Sequence, residues 1–187
     1  MESKIDIPNV VRACQKGDRG ARHTLYQSTA DEIMNICIRY TNDHSMAKDA
    51  FQDTYLKIFS KITQYKSAKG TFMAWAARIA VHASLHVLRH HRKITYVESI
   101  HQDMAPTVGY DIYEALSAQE LMDIVNELPD GYRLVFNMYV VEGFDHNEIG
   151  EKLGISAATS RSQLARARAI LRKKSQIRNK VNYGQAQ

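Results

Sequence analysis

His82, His86 and His90 stand four residues apart, the spacing that sets imidazoles one above another on a single helix face. One helix supplies two metal ligands from such a row and a third only by bending, and no carboxylate lies near to orient them. The row therefore reads as a neutral or partly charged polar face beside nucleic acid, not as a metal centre. Asp49 and Asp53 share the same spacing. At a helix start they complement the dipole, or face a basic partner, more simply than they form an acid–base couple. The sequence holds no GxxxxGK phosphate loop, no HExxH, no GxSxG and no credible Cys/His pair. Cys14 and Cys37 stand apart without CxxC spacing, so a disulfide framework and a cysteine zinc site are not expected. The reading is of a protein that is not an enzyme and needs no cofactor or metal.

Two other groups of residues have the chemistry of nucleic-acid binding. Residues 64–93 interleave aromatics with bases: Tyr65, Lys66, Lys69, Phe72, Trp75, Arg78, Arg89, Arg92 and Lys93. Rings beside a cationic track suit single strands, because bases stack while phosphates are neutralised. Phe72 reads as core, and Trp75 is balanced between core and stacking platform. Further on, residues 145–156 (DHNEIGEKLGIS) have the layout of a helix-turn-helix. Asp145 caps the first helix with Glu148 three residues on, as in a capping box. Gly154 permits the left-handed turn, Ile155 plugs the angle, and Ser156 caps the second helix. Leu164, Ala167 and Leu171 pack that helix inward. Thr159, Ser160, Arg161, Ser162, Gln163, Arg166 and Arg168 are left for DNA, with Arg and Gln suited to base edges and the hydroxyls to phosphates.

Elements of helical period must position these groups, and strand alternation is nearly absent. Asp18 caps a helix running to about Tyr40, and Asn42 or Asp43 caps the next. There Phe51, Tyr55, Ile58, Phe59 and Ile62 form one apolar stripe. After a polar break at 64–70, Thr71 caps a third long helix with Phe72, Ala76, Ile79, Ala83 and Val87 inward. Periodicity fails from about Ile94 to Tyr113. Helices resume from about Glu114 to Leu128, then from Pro129 at N1 to Glu142 with Gly143 beyond it, then at about 145–153 and 156–174.

The net charge of +5 hides a strong segregation. Residues 54–97 carry eight Lys/Arg and no acid, and residues 152–187 carry nine and no acid. Between them, residues 98–151 carry twelve acids against Arg133 alone. Two acid-free cationic blocks can each neutralise several phosphates, with counterion release as the driving term. At 44% hydrophobic and 24% charged the chain is globular in composition. It has no run of about 18 uncharged apolar residues and no apolar signal core, so a cytoplasmic location without membrane insertion is expected.

These residues resemble a bacterial RNA polymerase sigma factor of the extracytoplasmic-function group, over nearly the whole chain. Residues 46–59 (MAKDAFQDTYLKIF) resemble the family's region 2.2. Residues 71–80 (TFMAWAARIA) resemble its F-x-x-W-x-x-x-I-A segment, with Leu88-Arg89 as its ending. Residues 128–136 (LPDGYRLVF), 142–144 (EGF), 148–156 (EIGEKLGIS) and 162–168 (SQLARAR) resemble region 4. The resemblance implies an all-α fold of two small helical domains: a region 2 helical bundle at 1–93 and a region 4 helix-turn-helix at 114–187. A flexible linker at 94–113 joins them.

The resemblance also implies roles. Asp49, Gln52, Asp53, Tyr55 and Leu56 would grip the clamp helices of core RNA polymerase. The segment 66–93, through Lys66, Lys69, Trp75, Arg78, His82, His86, Arg89 and Lys93, would melt and hold the promoter −10 element. Thr159, Ser160, Arg161, Ser162, Gln163 and Arg166 would read the −35 element as duplex DNA. Many members are held by an anti-sigma factor, and no residue here decides whether this one is. His82 and His86 depart from the Asn, then often Asp, usual in the family. Two other readings use the same residues differently. One is a stand-alone helix-turn-helix regulator with a helical sensory or dimerisation domain at 1–93; the other is a helical adaptor binding an acidic protein.

Overall fold

A computed structural model describes residues 5–91 and 117–184, the side chains of Ala118 and of 177–184 excepted. The chain divides into two compact units, Met1–Lys93 and Ile94–Gln187, and every described element is helical. The expected linker at 94–113 lies outside the described residues.

The first unit is a four-helix assembly of α1 (Ile7–Gln15), α2 (Arg19–Thr41), α3 (His44–Lys61) and α4 (Phe72–His91). Its starts follow from side chains that satisfy orphan amides. Asp18 accepts from the Ala21 amide, Asp43 from that of Met46, and the Thr71 hydroxyl from that of Ala74. Asn42 takes the left-handed conformation (φ 48°) that ends α2. Leu25, Ile33, Cys37, Tyr40, Ile58, Ala76, Ala80 and Leu85 meet in the centre, each at most 1% exposed. Small residues on α4 let α2 and α3 approach closely. Ile79, expected inward, is only half-buried, whereas Phe72, Ala76, Ala83 and Val87 are buried. Helix α1 has no counterpart among the expected elements. Asp6 caps it, with Pro8 in its first turn, and Val11 and Cys14 face inward.

The second unit comprises α5 (Ala118–Asn126), α6 (Asp130–Phe136), α7 (His146–Leu153) and α8 (Ala157–Gly184). Ser117 opens α5 with a reciprocal capping box to Glu120. Pro129 is the N-cap of α6 and not its first residue. α6 continues as a π-helical turn, Asn137–Val141, ending at Gly143 with φ 73°. Asp145 and Glu148 form the second capping box, at the start of α7. Gly154 (φ 70°) makes the left-handed exit, and the Ser156 hydroxyl accepts from the Thr159 amide to open α8. A methyl group on Gly150 would lie 2.7 Å from the Ile155 carbonyl oxygen, so glycine lets the turn fold back on α7. The buried Arg133 guanidinium pairs with Asp130 at 2.7 Å and reaches the Leu128 carbonyl.

Candidate nucleic-acid interface

On α3, Asp49, Gln52 and Leu56 are exposed and Asp53 is half-exposed. Positions 49, 52, 53 and 56 fall on one face by helical period. Asp53 pairs with Lys57 one turn on, at 2.6 Å, and Leu56 is 72% exposed, an apolar tip ringed by polar groups. Tyr55 does not belong to that face. It is 6% exposed, and its hydroxyl meets that of Thr29 at 2.7 Å. Its ring packs against Tyr26, Phe51 and Phe59. Burial pushes its phenol up to about 12. The expectation that Tyr55 touches a partner is therefore corrected: it is a core residue holding α3 to α2.

The stretch between α3 and α4 is a built loop, not a slack break. It holds two 3₁₀ turns, Ile62–Gln64 and Ser67–Lys69. The Gln15 side-chain amide donates to the carbonyls of Ile62 (2.9 Å) and Tyr65 (3.0 Å), and Tyr65 donates its hydroxyl to the Gly70 carbonyl. The Tyr65 ring meets Phe72 edge-on and Trp75 at 5.6 Å. A cleft of about 310 Å³ opens between α1 and this loop, lined by Pro8, Val11, Arg12, Gln15 and residues 65–68.

Phe72 is core at 4% exposure and Trp75 is half-buried. Lys66 and Lys69 are exposed on the loop. Arg78, His82, His86 and Arg89 are exposed along one face of α4, as their spacing of four, four and three requires. Lys93 lies outside the described residues. Among the described residues no group of three or more His, Cys, Asp or Glu is placed to hold a metal.

On α8, Arg161 and Ser162 are exposed, and Thr159 and Arg166 are half-buried. Thr159 shares a hydrogen bond with Ser156 at 2.8 Å. Two of the six expected DNA contacts face the interior instead. Ser160 is fully buried and paired with His146 Nδ1 at 2.9 Å. Gln163 is 2% exposed with neither amide atom hydrogen-bonded. Both lie one or two turns before Ala167 on its inward stripe, so helical phase decides against residue chemistry. Gln15, which ties the loop, and Arg12, which lines the cleft beside it, are not among the expected residues; the Asp6 cap and Pro8 are the signal for their helix.

With this geometry in place, the comparisons with known proteins are specific. Residues 25–94 match the family described as Sigma-70 region 2, and residues 118–171 that described as Sigma-70, region 4. The chain belongs to the sigma-70 family, in its extracytoplasmic-function group. It is 26% identical over 165 residues to ECF RNA polymerase sigma factor SigE of Mycolicibacterium smegmatis, covering 83% of this chain and 63% of that protein. It is 26% identical over 155 residues to ECF RNA polymerase sigma factor SigM of Bacillus subtilis, covering 79% and 91%. It thus spans less than two thirds of the first relative and nearly all of the second. A solved complex of the sigma factor RpoE with the anti-sigma factor NepR from Bartonella quintana is 19% identical at a TM-score of 0.48, covering 81% of this chain and 94% of that one. The region 2 match over 25–94 occupies the place where a stand-alone regulator would carry its sensory domain. Among the described residues, no helix is long and apolar enough to cross a membrane.

Proposed function

We propose that this sigma factor binds core RNA polymerase and directs initiation at promoters whose −10 and −35 elements match its two units. The exposed face of α3, through Asp49, Gln52, Asp53 and Leu56, docks on the polymerase. The aromatic and cationic edge formed by Lys66, Lys69, Trp75, Arg78, His82, His86 and Arg89 holds the −10 element as single strand, by stacking and by phosphate neutralisation. The first turns of α8 enter the major groove of the −35 duplex, with Arg161 and Arg166 at base edges and Thr159 and Ser162 at phosphates.

The observation that carries this reading is that each sigma-70 module presents its own acid-free cationic stretch of helix, with the half-buried Tyr65 and Trp75 beside the one on α4 and a helix-turn-helix leading into the one on α8. Those are the differing needs of melted and duplex DNA. Run-off transcription with core polymerase, the chain and matched templates tests it. Transcripts that require both protein components support the proposal, while specific duplex binding that needs no polymerase and starts no transcript would replace it with a conventional regulator.

A further inference from the structure

A circuit of side chains in the second unit begins and ends on α8. The Arg168 guanidinium carbon lies 5.9 Å from the centroid of the Tyr139 ring. Tyr139, in the π-helical turn after α6, stacks on the His146 imidazole with centroids 4.5 Å apart and planes 18° from parallel. His146, the first residue of α7, pairs its Nδ1 with the Ser160 hydroxyl. Ser160 lies one turn into α8 and is fully buried.

The two ends of the circuit, Ser160 and Arg168, are eight residues apart, a little over two helical turns. Holding a helix at two such points defines its rotation about its own axis as well as its place. Rotation is the variable to which base reading is most sensitive, because a hydrogen bond weakens within roughly 0.5 Å of its best length. Apolar contacts allow small rotations more readily than a hydrogen bond to a buried hydroxyl does. Arg161, beside Ser160, is exposed and would be aimed by that rotation.

The charges around the imidazole are one-sided. Arg161 and Arg168 face it from α8, Asp145 opposes them from its own helix, and the uncharged Tyr139 covers it from the π-helical turn. Burial first, then the two arginines, holds its proton affinity below the ordinary value of 6.5. A proton on His146 places a third cation within this group.

We propose that His146 is a positioning residue for −35 recognition, setting the rotation of α8 through Ser160 and Tyr139 so that Arg161 meets its base edge. The proposal rests on the reading of α8 as the recognition helix. It is tested on holoenzyme, made from core polymerase and the full chain, by sequencing the templates it retains from a pool randomised across both promoter elements.

The His146→Ala variant should lose about five-fold or more in −35 discrimination, the scale of one base-reading contact, with −10 preference unchanged. His146→Gln, whose amide still reaches Ser160, should recover most of it. The His146→Ala/Ser160→Ala double variant should be no worse than either single change. Wild-type −35 discrimination should decline only as pH falls well below 6.5, where the depressed imidazole takes its proton, while that of His146→Gln stays level. The proposal is overturned if His146→Ala keeps the wild-type −35 preference, if it loses −10 and −35 preference alike, or if the Gln variant is as impaired as the Ala. Arg161→Ala separates the two layers: an unchanged −35 spectrum there removes the recognition-helix reading itself.

Discussion

Gln163 offers the sharpest test of the second unit, because its prediction has an unusual sign. Its side chain is 2% exposed, and both amide atoms lack a hydrogen-bond partner. A buried polar group left unpaired costs about 1–3 kcal/mol relative to one that keeps its partners. Methionine has a similar unbranched length and no strong hydrogen-bonding need, and it adapts to irregular space. The Gln163→Met variant should therefore stabilise the unit by about 1–2 kcal/mol, once some repacking cost is allowed. For a domain of this size each kcal/mol moves the melting temperature by about 4–8 °C. Calorimetry of the full chain, following the transition that Arg133→Ala also lowers, reads the effect. A variant that melts lower than the parent would show that the amide is satisfied in solution, and the burial argument would fall. The same variant bears on DNA reading: an inward Gln163 predicts a −35 preference unaltered by the change.

Three further outcomes follow from the geometry. Gly154→Ala, at φ 70°, should destabilise the helix-turn-helix by about 1–2 kcal/mol, seen as a lower urea midpoint at unchanged slope. Tyr55 is neutral in the folded state until about pH 12, while an exposed tyrosine ionises near 10. The unfolded chain therefore releases its proton first, and stability should fall as pH rises from about 10 to 12; a Tyr55→Phe chain should lose this part of the decline in alkaline denaturation curves. Leu56→Asp should leave the unfolding free energy within about 0.5 kcal/mol of the parent, as expected of a surface site, yet weaken co-elution with core polymerase. A normal elution profile would remove α3 from the docking surface.

Helix starts were the most legible feature of the sequence, because a cap is a local interaction: Asp18, Asp43, Thr71 and Asp145 all act within three residues of themselves. The turn at Gly154 was legible for the same reason. Ser160 and Gln163 have the polarity of DNA contacts but the phase of the inward stripe that Leu164, Ala167 and Leu171 define, and both are buried. Tyr55 stands on an apolar stripe in the sequence, and only the family resemblance implies a partner surface for it. The His146–Ser160 pair, 14 residues apart, and the Gln15 hold on Ile62 and Tyr65, some 50 residues away, depend on packing that no local pattern encodes. The π-helical turn also left no trace in periodicity, since one extra residue per turn only shifts the stripe.

The Gln15 amide has a practical corollary. Because a side chain in the opening helix holds two carbonyls of the stretch that would meet melted DNA, the beginning of the chain is a structural part of that stretch. On the proposed reading, removing α1, or fusing a bulky partner against it, would loosen the carbonyls of Ile62 and Tyr65 that Gln15 holds and so impair promoter opening through the loop's shape.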